Sequence, residues 1–356
     1  MKKINEYMEL NKDNPFSSQT KMLFHLDRVN EFLETGSTFP IFMEVMMANP
    51  CELACEWCIT ENRLDEKDNA KEMINMEPLL KFFKDFKTLG GKAVTFSGGG
   101  ESTLHPNFDQ AVLEARKQDL DCGLMTHGGF KESLIPLIGE NFKWMRISLD
   151  TLNEEKYKKW KGKNFIPKIL KNIKLLQDYP VKIGINVNVN DDMTVEEIHT
   201  VIEECYGITD YIQFRPVLKR YFKEEGDEFN NDVWDYLKQY ENNSKINLSY
   251  DKLHDMKKNA YPFDKCSGHN FEPILDPSGE IRVCSYHSNK PEFSFGNIND
   301  NSMEEIWNSE KRKKVVKYVD SLVYEKVCQQ QCKCSEVNKF IDFLKHPPEE
   351  LDINFL

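Results

Sequence analysis

Between residues 40 and 216, short apolar or β-branched runs alternate with segments whose apolar positions recur every three or four residues. The runs Ile41 to Met47, Ala93 to Ser97, Cys122 to Thr126, Trp144 to Asp150, Lys182 to Val189 and Tyr211 to Val217 have the length and residue types of strands. Between them, Phe165, Ile166, Ile169, Leu170, Ile173 and Leu176 share one helical face, as do Val195, Ile198, Val201 and Ile202. The second of these helices opens with a capping box, Thr194 followed three residues on by Glu197. Strands alternating with helices make a parallel sheet, because each helix is the crossover that returns the chain to the same end. Six such units predict an α/β fold, an open partial (β/α)6 barrel, with functional side chains at the C-terminal ends of its strands. An amphipathic helix, "KMLFHLDRVNEFLET", is expected before the first strand.

The polar stretch from Lys219 to Asp232 reads as a boundary. It divides the chain into an N-terminal helical extension (1–35), the barrel (36–228) and a smaller α+β C-terminal domain (229–356). Net charge changes the picture next: 47 basic against 59 acidic residues give −12, which argues against a broad nucleic-acid surface. The N-terminus has no apolar run of signal-peptide length, and no segment reaches the about 18 apolar residues of a membrane span. A cytoplasmic protein is expected, and in that reducing setting ten cysteines read as metal ligands, catalytic thiols or small core residues.

Three of them, Cys51, Cys55 and Cys58, follow the first expected strand in "ANPCELACEWCIT". A closed zinc site wants four ligands and a disulfide two; three thiolates on one loop suit three irons of a 4Fe-4S cluster, with the fourth iron open. The spacing C-x3-C-x-Φ-C, with Trp57 before the last cysteine, resembles that of the radical S-adenosylmethionine (radical SAM) enzymes. The resemblance implies that SAM chelates the open iron and is cleaved to a 5′-deoxyadenosyl radical that takes hydrogen from a substrate. It also implies an external low-potential electron donor such as flavodoxin or ferredoxin. Gly99, Gly100 and Glu101 in "TFSGGGESTLHP" look like the family's GGE motif, which contacts the methionine ammonium. "MTHGG" resembles the Thr-Asn-Gly turn after the third strand, with Thr126 in place and His127 where asparagine is usual. Ser148 and Asp150 at the fourth strand end and Arg215 at the sixth are further candidates for SAM or substrate contacts, and Asp150 is also a candidate catalytic group.

The last quarter holds Cys266, Cys284, Cys328, Cys332 and Cys334. Gly279 stands five residues before Cys284, inside an expected hairpin, "EPILD" and "EIRVC" around Pro-Ser-Gly. This arrangement looks like the SPASM and twitch extensions of radical SAM enzymes, and five thiols suffice for one auxiliary iron-sulfur cluster with one to spare. A four-cysteine zinc ribbon is the competing reading. One of Cys328, Cys332 and Cys334 is expected to be the spare, and Cys332 or Cys334 would then be a candidate hydrogen donor if the reaction is redox-neutral. If it is a net oxidation, the auxiliary cluster would accept the electron.

Only about 40 residues precede the first strand, less than peptide-modifying members commonly carry, so a small-molecule substrate is expected, a carbohydrate or nucleotide sugar. Arg215, Lys219 and Arg220 would meet its phosphates. Maturation of a ribosomal peptide or activation of a partner protein is the rival reading, and a SAM-binding iron-sulfur protein without turnover the third.

Overall fold

The computed structural model describes residues 21–59, 71–217, 230–250, 252–253, 261, 263–288, 290–328 and 332–347. Six parallel strands follow the predicted runs to within two residues at each end: β1 (Phe42–Met46), β2 (Ala93–Ser97), β3 (Asp121–Thr126), β4 (Trp144–Ser148), β5 (Lys182–Val189) and β6 (Tyr211–Pro216). A seventh, β7 (Ile246–Leu248), pairs parallel to β6. Only three residues long, it carries no periodicity that a sequence reading would register. On the other edge, β8 (Ile274–Leu275) runs parallel to β1 and antiparallel to β9 (Glu280–Arg282), which pairs with β10 (Ser294–Asn297). The expected hairpin therefore extends the barrel's own sheet, and the order is β10-β9-β8-β1-β2-β3-β4-β5-β6-β7.

The two faces of this sheet differ in kind. One alternation set, including Val45, Phe96, Leu124, Ile147, Ile185 and Phe214, is buried and apolar. Against it pack the apolar faces of α1 (Met76–Thr88), α2 (Phe108–Lys117), α3 (Ile135–Asn141), α4 (Ile166–Leu176) and α5 (Val195–Tyr206). Both α5 and α6 (Met303–Asn308) begin with complete capping boxes, from Thr194 with Glu197 and from Ser302 with Glu305, so their first free N–H groups are satisfied locally. The other set, Glu44, Ser97, Arg146, Asn186, Gln213 and Arg215 among it, is polar and faces the concavity.

The C-terminal region closes over the start of the barrel. The indole N–H of Trp307 in α6 donates to the Thr38 carbonyl at 2.8 Å, and the Arg312 guanidinium lies 3.9 Å from the centre of the same indole. A helix before β1, Leu26–Thr35, packs Val29 and Phe32 on Phe271 and on Phe340 and Ile341 of the last helix, Ser335–Lys345.

Phe96 is fully buried, with its ring meeting those of Phe83, Phe108 and Phe142 edge-on at 5.7 to 6.1 Å. Phe96→Ala is expected to cost about 3–5 kcal/mol in denaturant unfolding; a loss below about 1 kcal/mol would show that this cluster does not hold the sheet to its helices.

Candidate functional site

The cysteine loop leaves β1 and is gripped from two sides by backbone. On one side Gly100 donates its N–H to the Ala48 carbonyl and Glu101 donates to that of Pro50, both at 2.9 Å. On the other, Ala54 and Glu56 donate to the carbonyls of Lys161 and Trp160, at 3.0 and 2.9 Å. These are orphan carbonyls at the end of the helix Glu154–Lys161, which closes on Gly162 at φ +82°. A Cβ on Gly100 would fall 2.1 and 2.2 Å from the Asn49 and Pro50 carbonyl oxygens. The first demand for glycine here is thus the close passage of the cysteine loop. Trp57 reaches back to the Trp160 indole, ring centres 5.6 Å apart.

Glu101 and Asp150 are both buried, and their partners differ. The Glu101 carboxylate accepts from the Thr126 hydroxyl at 3.0 Å, the Thr103 hydroxyl at 2.8 Å and the His127 N–H at 3.0 Å. The His127 ring accepts the Gly129 N–H at Nδ1, which leaves the proton on Nε2, 3.1 Å from Glu52 in the cysteine loop and 3.4 Å from Glu101. The imidazole in the place of asparagine thus ties the third strand end to the cysteine loop. A carboxylate surrounded by hydroxyls, amides and one imidazole is a fitting acceptor for a ligand ammonium.

Asp150 adopts φ +69°, a left-handed conformation that aspartate tolerates. Its Oδ1 accepts the Asn188 N–H and side-chain amide at 2.8 and 2.9 Å, and its Oδ2 lies 2.7 Å from the Lys161 ammonium. Lys161 also donates to the Ser148 carbonyl at 2.6 Å and hydroxyl at 3.3 Å. Burial alone would depress its pKa, but Asp150, together with Tyr157 and Cys55, outweighs this and holds it above the usual lysine value. Asp150 and Ser148 are therefore engaged beneath the cysteine loop, where they support Lys161. Sequence reasoning missed Lys161, because nothing in a lysine-rich helix marks the one lysine that turns inward; it also missed Glu52.

Arg215 lies on the concave face, in register with Asn188, and near Tyr286 of the C-terminal region. Lys219 and Arg220 lie outside the described residues. Across the barrel the Lys333 ammonium, carried between Cys332 and Cys334, pairs with Glu44 of β1, which also accepts the Ser97 hydroxyl at 2.5 Å. Glu272 sits beside Cys334.

The ten cysteines are free thiols. Burial pushes Cys55 up to about 11, so metal loading must release protons. Zinc at about 2.3 Å from each thiolate would bring sulfurs within about 3.8 Å of one another. Among the described residues no three thiols approach within 4.8 Å.

The parallel sheet with a three-thiol loop and an acceptor-lined turn at its strand ends defines a SAM-dependent iron-sulfur barrel. Family models agree: residues 45–205 match the radical SAM superfamily and residues 266–335 the SPASM iron-sulfur cluster-binding domain. The chain belongs to the radical SAM superfamily, carries a SPASM domain, and is an iron-sulfur enzyme whose cofactors are 4Fe-4S clusters and SAM. Curated relatives include a GTP 3′,8-cyclase from Aliarcobacter butzleri, 25% identical over 52% of this chain and 58% of its own. A probable GTP 3′,8-cyclase from Pyrococcus horikoshii is 29% identical over 42% and 48%. The chain thus spans about half the length of these relatives. Among solved structures, SuiB of Streptococcus suis bound to SAM has a TM-score of 0.63 at 16% identity, covering 97% of this chain and 85% of that one. The protein anSMEcpe with bound AdoMet has a TM-score of 0.61 at 19% identity, covering 84% and 88%. Both show the shared fold.

The relatives overturn the expected carbohydrate or nucleotide-sugar substrate, since those matched in sequence are named for cyclising GTP. That expectation rested on how little chain precedes the barrel, which carries no substrate chemistry. Among the described residues, no helix is long and apolar enough to cross a membrane.

Gly100→Ala is expected to displace the cysteine loop, so that reconstituted protein loses about four of about eight irons while the C-terminal cluster stays; full iron would refute this reading of the turn. Lys161→Met, which leaves Asp150 buried without its cation, is expected to cost about 3–5 kcal/mol in unfolding, with partial recovery on adding Asp150→Asn. An unchanged midpoint in the single variant would contradict a supporting role for the pair.

Proposed function

We propose that Cys51, Cys55 and Cys58 hold a 4Fe-4S cluster with one iron left for SAM, and that the enzyme abstracts hydrogen from a purine nucleotide received on the concave face. When bound, cluster and SAM supply a 5′-deoxyadenosyl radical through one-electron reduction of the sulfonium. Glu101, aligned by Thr103, Thr126 and His127, accepts the methionine ammonium. Lys161 places a fixed positive charge beneath Cys55. Cysteines of the C-terminal region hold the auxiliary cluster.

The observation that carries the substrate class is the polar concave face. Arg146 donates to the Gln213 side-chain amide oxygen at 3.0 Å, the Gln213 amide nitrogen donates to the Ser249 hydroxyl at 3.3 Å, and Arg215 stands at the strand end next to them. Guanidinium groups and amides on one wall suit phosphates and a purine edge. The GTP-cyclising relatives support the same class. The electron comes from an external low-potential donor, flavodoxin or ferredoxin, in the cytoplasm, where thiols stay reduced.

Anaerobic turnover with reductant, SAM and a panel of GTP, ATP and peptides tests this. GTP or ATP is expected to stimulate 5′-deoxyadenosine formation, and Arg215→Ala to raise the nucleotide KM about 10- to 100-fold, the loss of one charge-assisted contact. Stimulation by peptides and by no nucleotide would overturn the proposal.

A further inference from the structure

The C-terminal region holds five thiols, and a 4Fe-4S cluster held by protein alone needs four. We infer that Cys266, Cys284, Cys328 and Cys332 ligate the auxiliary cluster, and that Cys334 is left outside it as a packing residue of the last helix. The inference rests on the proposed C-terminal cluster site and goes beyond it by assigning its ligands.

Cys334 is only 1% exposed, whereas the other four are partly accessible. Its side chain is pressed against Gly268, where an added Cβ would lie 2.3 Å from the Cys334 Cβ and 3.0 Å from its sulfur. Gly268 is fixed there, since its N–H and that of Ser267 both donate to the Asn338 side chain, at 2.7 and 2.8 Å. One turn of helix separates Asn338 from Cys334, whose carbonyl accepts the Asn338 N–H at 2.9 Å. One side of the Cys334 sulfur is thus covered by the Gly268 backbone.

The remaining four face one another. The principal charged neighbours of Cys266 are Cys332, Cys284 and Cys328; those of Cys328 include Cys332 and Cys284; that of Cys284 among the thiols is Cys332. Cys284 also accepts the backbone N–H groups of Tyr286 and His287, the kind of support a cluster sulfur receives. Cys334 also has Cys332 and Cys266 among its charged neighbours, but its thiol is engaged in hydrogen bonds with Cys332 and with the Glu272 carboxylate. Lys333 pairs with Glu44 of β1, and Ser335 donates its N–H to the Cys332 carbonyl at 3.2 Å, so the turn carrying the two cysteines is anchored at both ends.

The test uses the full chain with Cys51, Cys55 and Cys58 changed to alanine, so that only auxiliary iron is counted. In this background Cys334→Ala and Cys334→Ser are expected to keep about four irons per chain with an unaltered electron paramagnetic resonance signal, while alanine at Cys266, Cys284, Cys328 or Cys332 lowers iron at least twofold. Loss of iron from a folded Cys334 variant, with retention in Cys328→Ala or Cys332→Ala, overturns the assignment. In the unaltered reduced chain labelled with 13Cβ-cysteine, a contact-shifted Cys334 resonance would overturn it equally, without any substitution. A background chain that binds no iron would refute the C-terminal cluster itself, an outcome distinct from a wrong choice of ligands.

Discussion

Two backbone hydrogen bonds from Ala54 and Glu56 to the end of the helix Glu154–Lys161, and two from Gly100 and Glu101 to the start of the loop, fix where the three thiols stand. A cysteine loop with no regular structure has little to hold it in place unless its polar backbone is matched by the elements around it. Here the match comes from groups that are free for structural reasons: terminal carbonyls of a helix, and amides of a glycine turn after β2. The same helix end delivers Lys161 to Asp150, and the same turn delivers Glu101 to Thr126 and His127. Position of the cluster loop, charge beneath it and acceptors for SAM thus follow from one set of contacts.

The separation of the sheet into an apolar and a polar face explains how a barrel with so polar an interior is held together. Stability comes from the helix-covered side, where large aromatic and branched residues are fully buried. The concave side is left for pairing and recognition, and its polar groups satisfy one another: Arg146 with Gln213, Gln213 with Ser249, Glu44 with Ser97 and Lys333. Through Lys333 the C-terminal cysteines are tied to the first barrel strand, so the two iron-sulfur sites share one scaffold.

Much of this was legible in the sequence because it is local. Six strands, the capping box at Thr194, the hairpin around Gly279 and the placement of Cys51, Cys55 and Cys58 after β1 depend on residues close together in the chain. The pairs that organise the site were not. Lys161 meets Asp150 because Asp150 takes a left-handed turn, and Lys333 meets Glu44 across 289 residues. Neither partner advertises the other by spacing. The role of Gly100 was half legible: the residue was singled out, but the first neighbour that requires it is the cysteine loop. The substrate was the least legible feature, since it is read by side chains that several strands contribute one at a time.

The central claim, that three thiols leave one iron for SAM, is tested most directly by electron paramagnetic resonance of the reduced protein with and without SAM labelled with 15N at the methionine amine. The account expects the cluster signal to change on adding SAM and to show hyperfine coupling to the labelled nitrogen, both abolished in Cys58→Ala. A signal indifferent to SAM, with no nitrogen coupling, would contradict it.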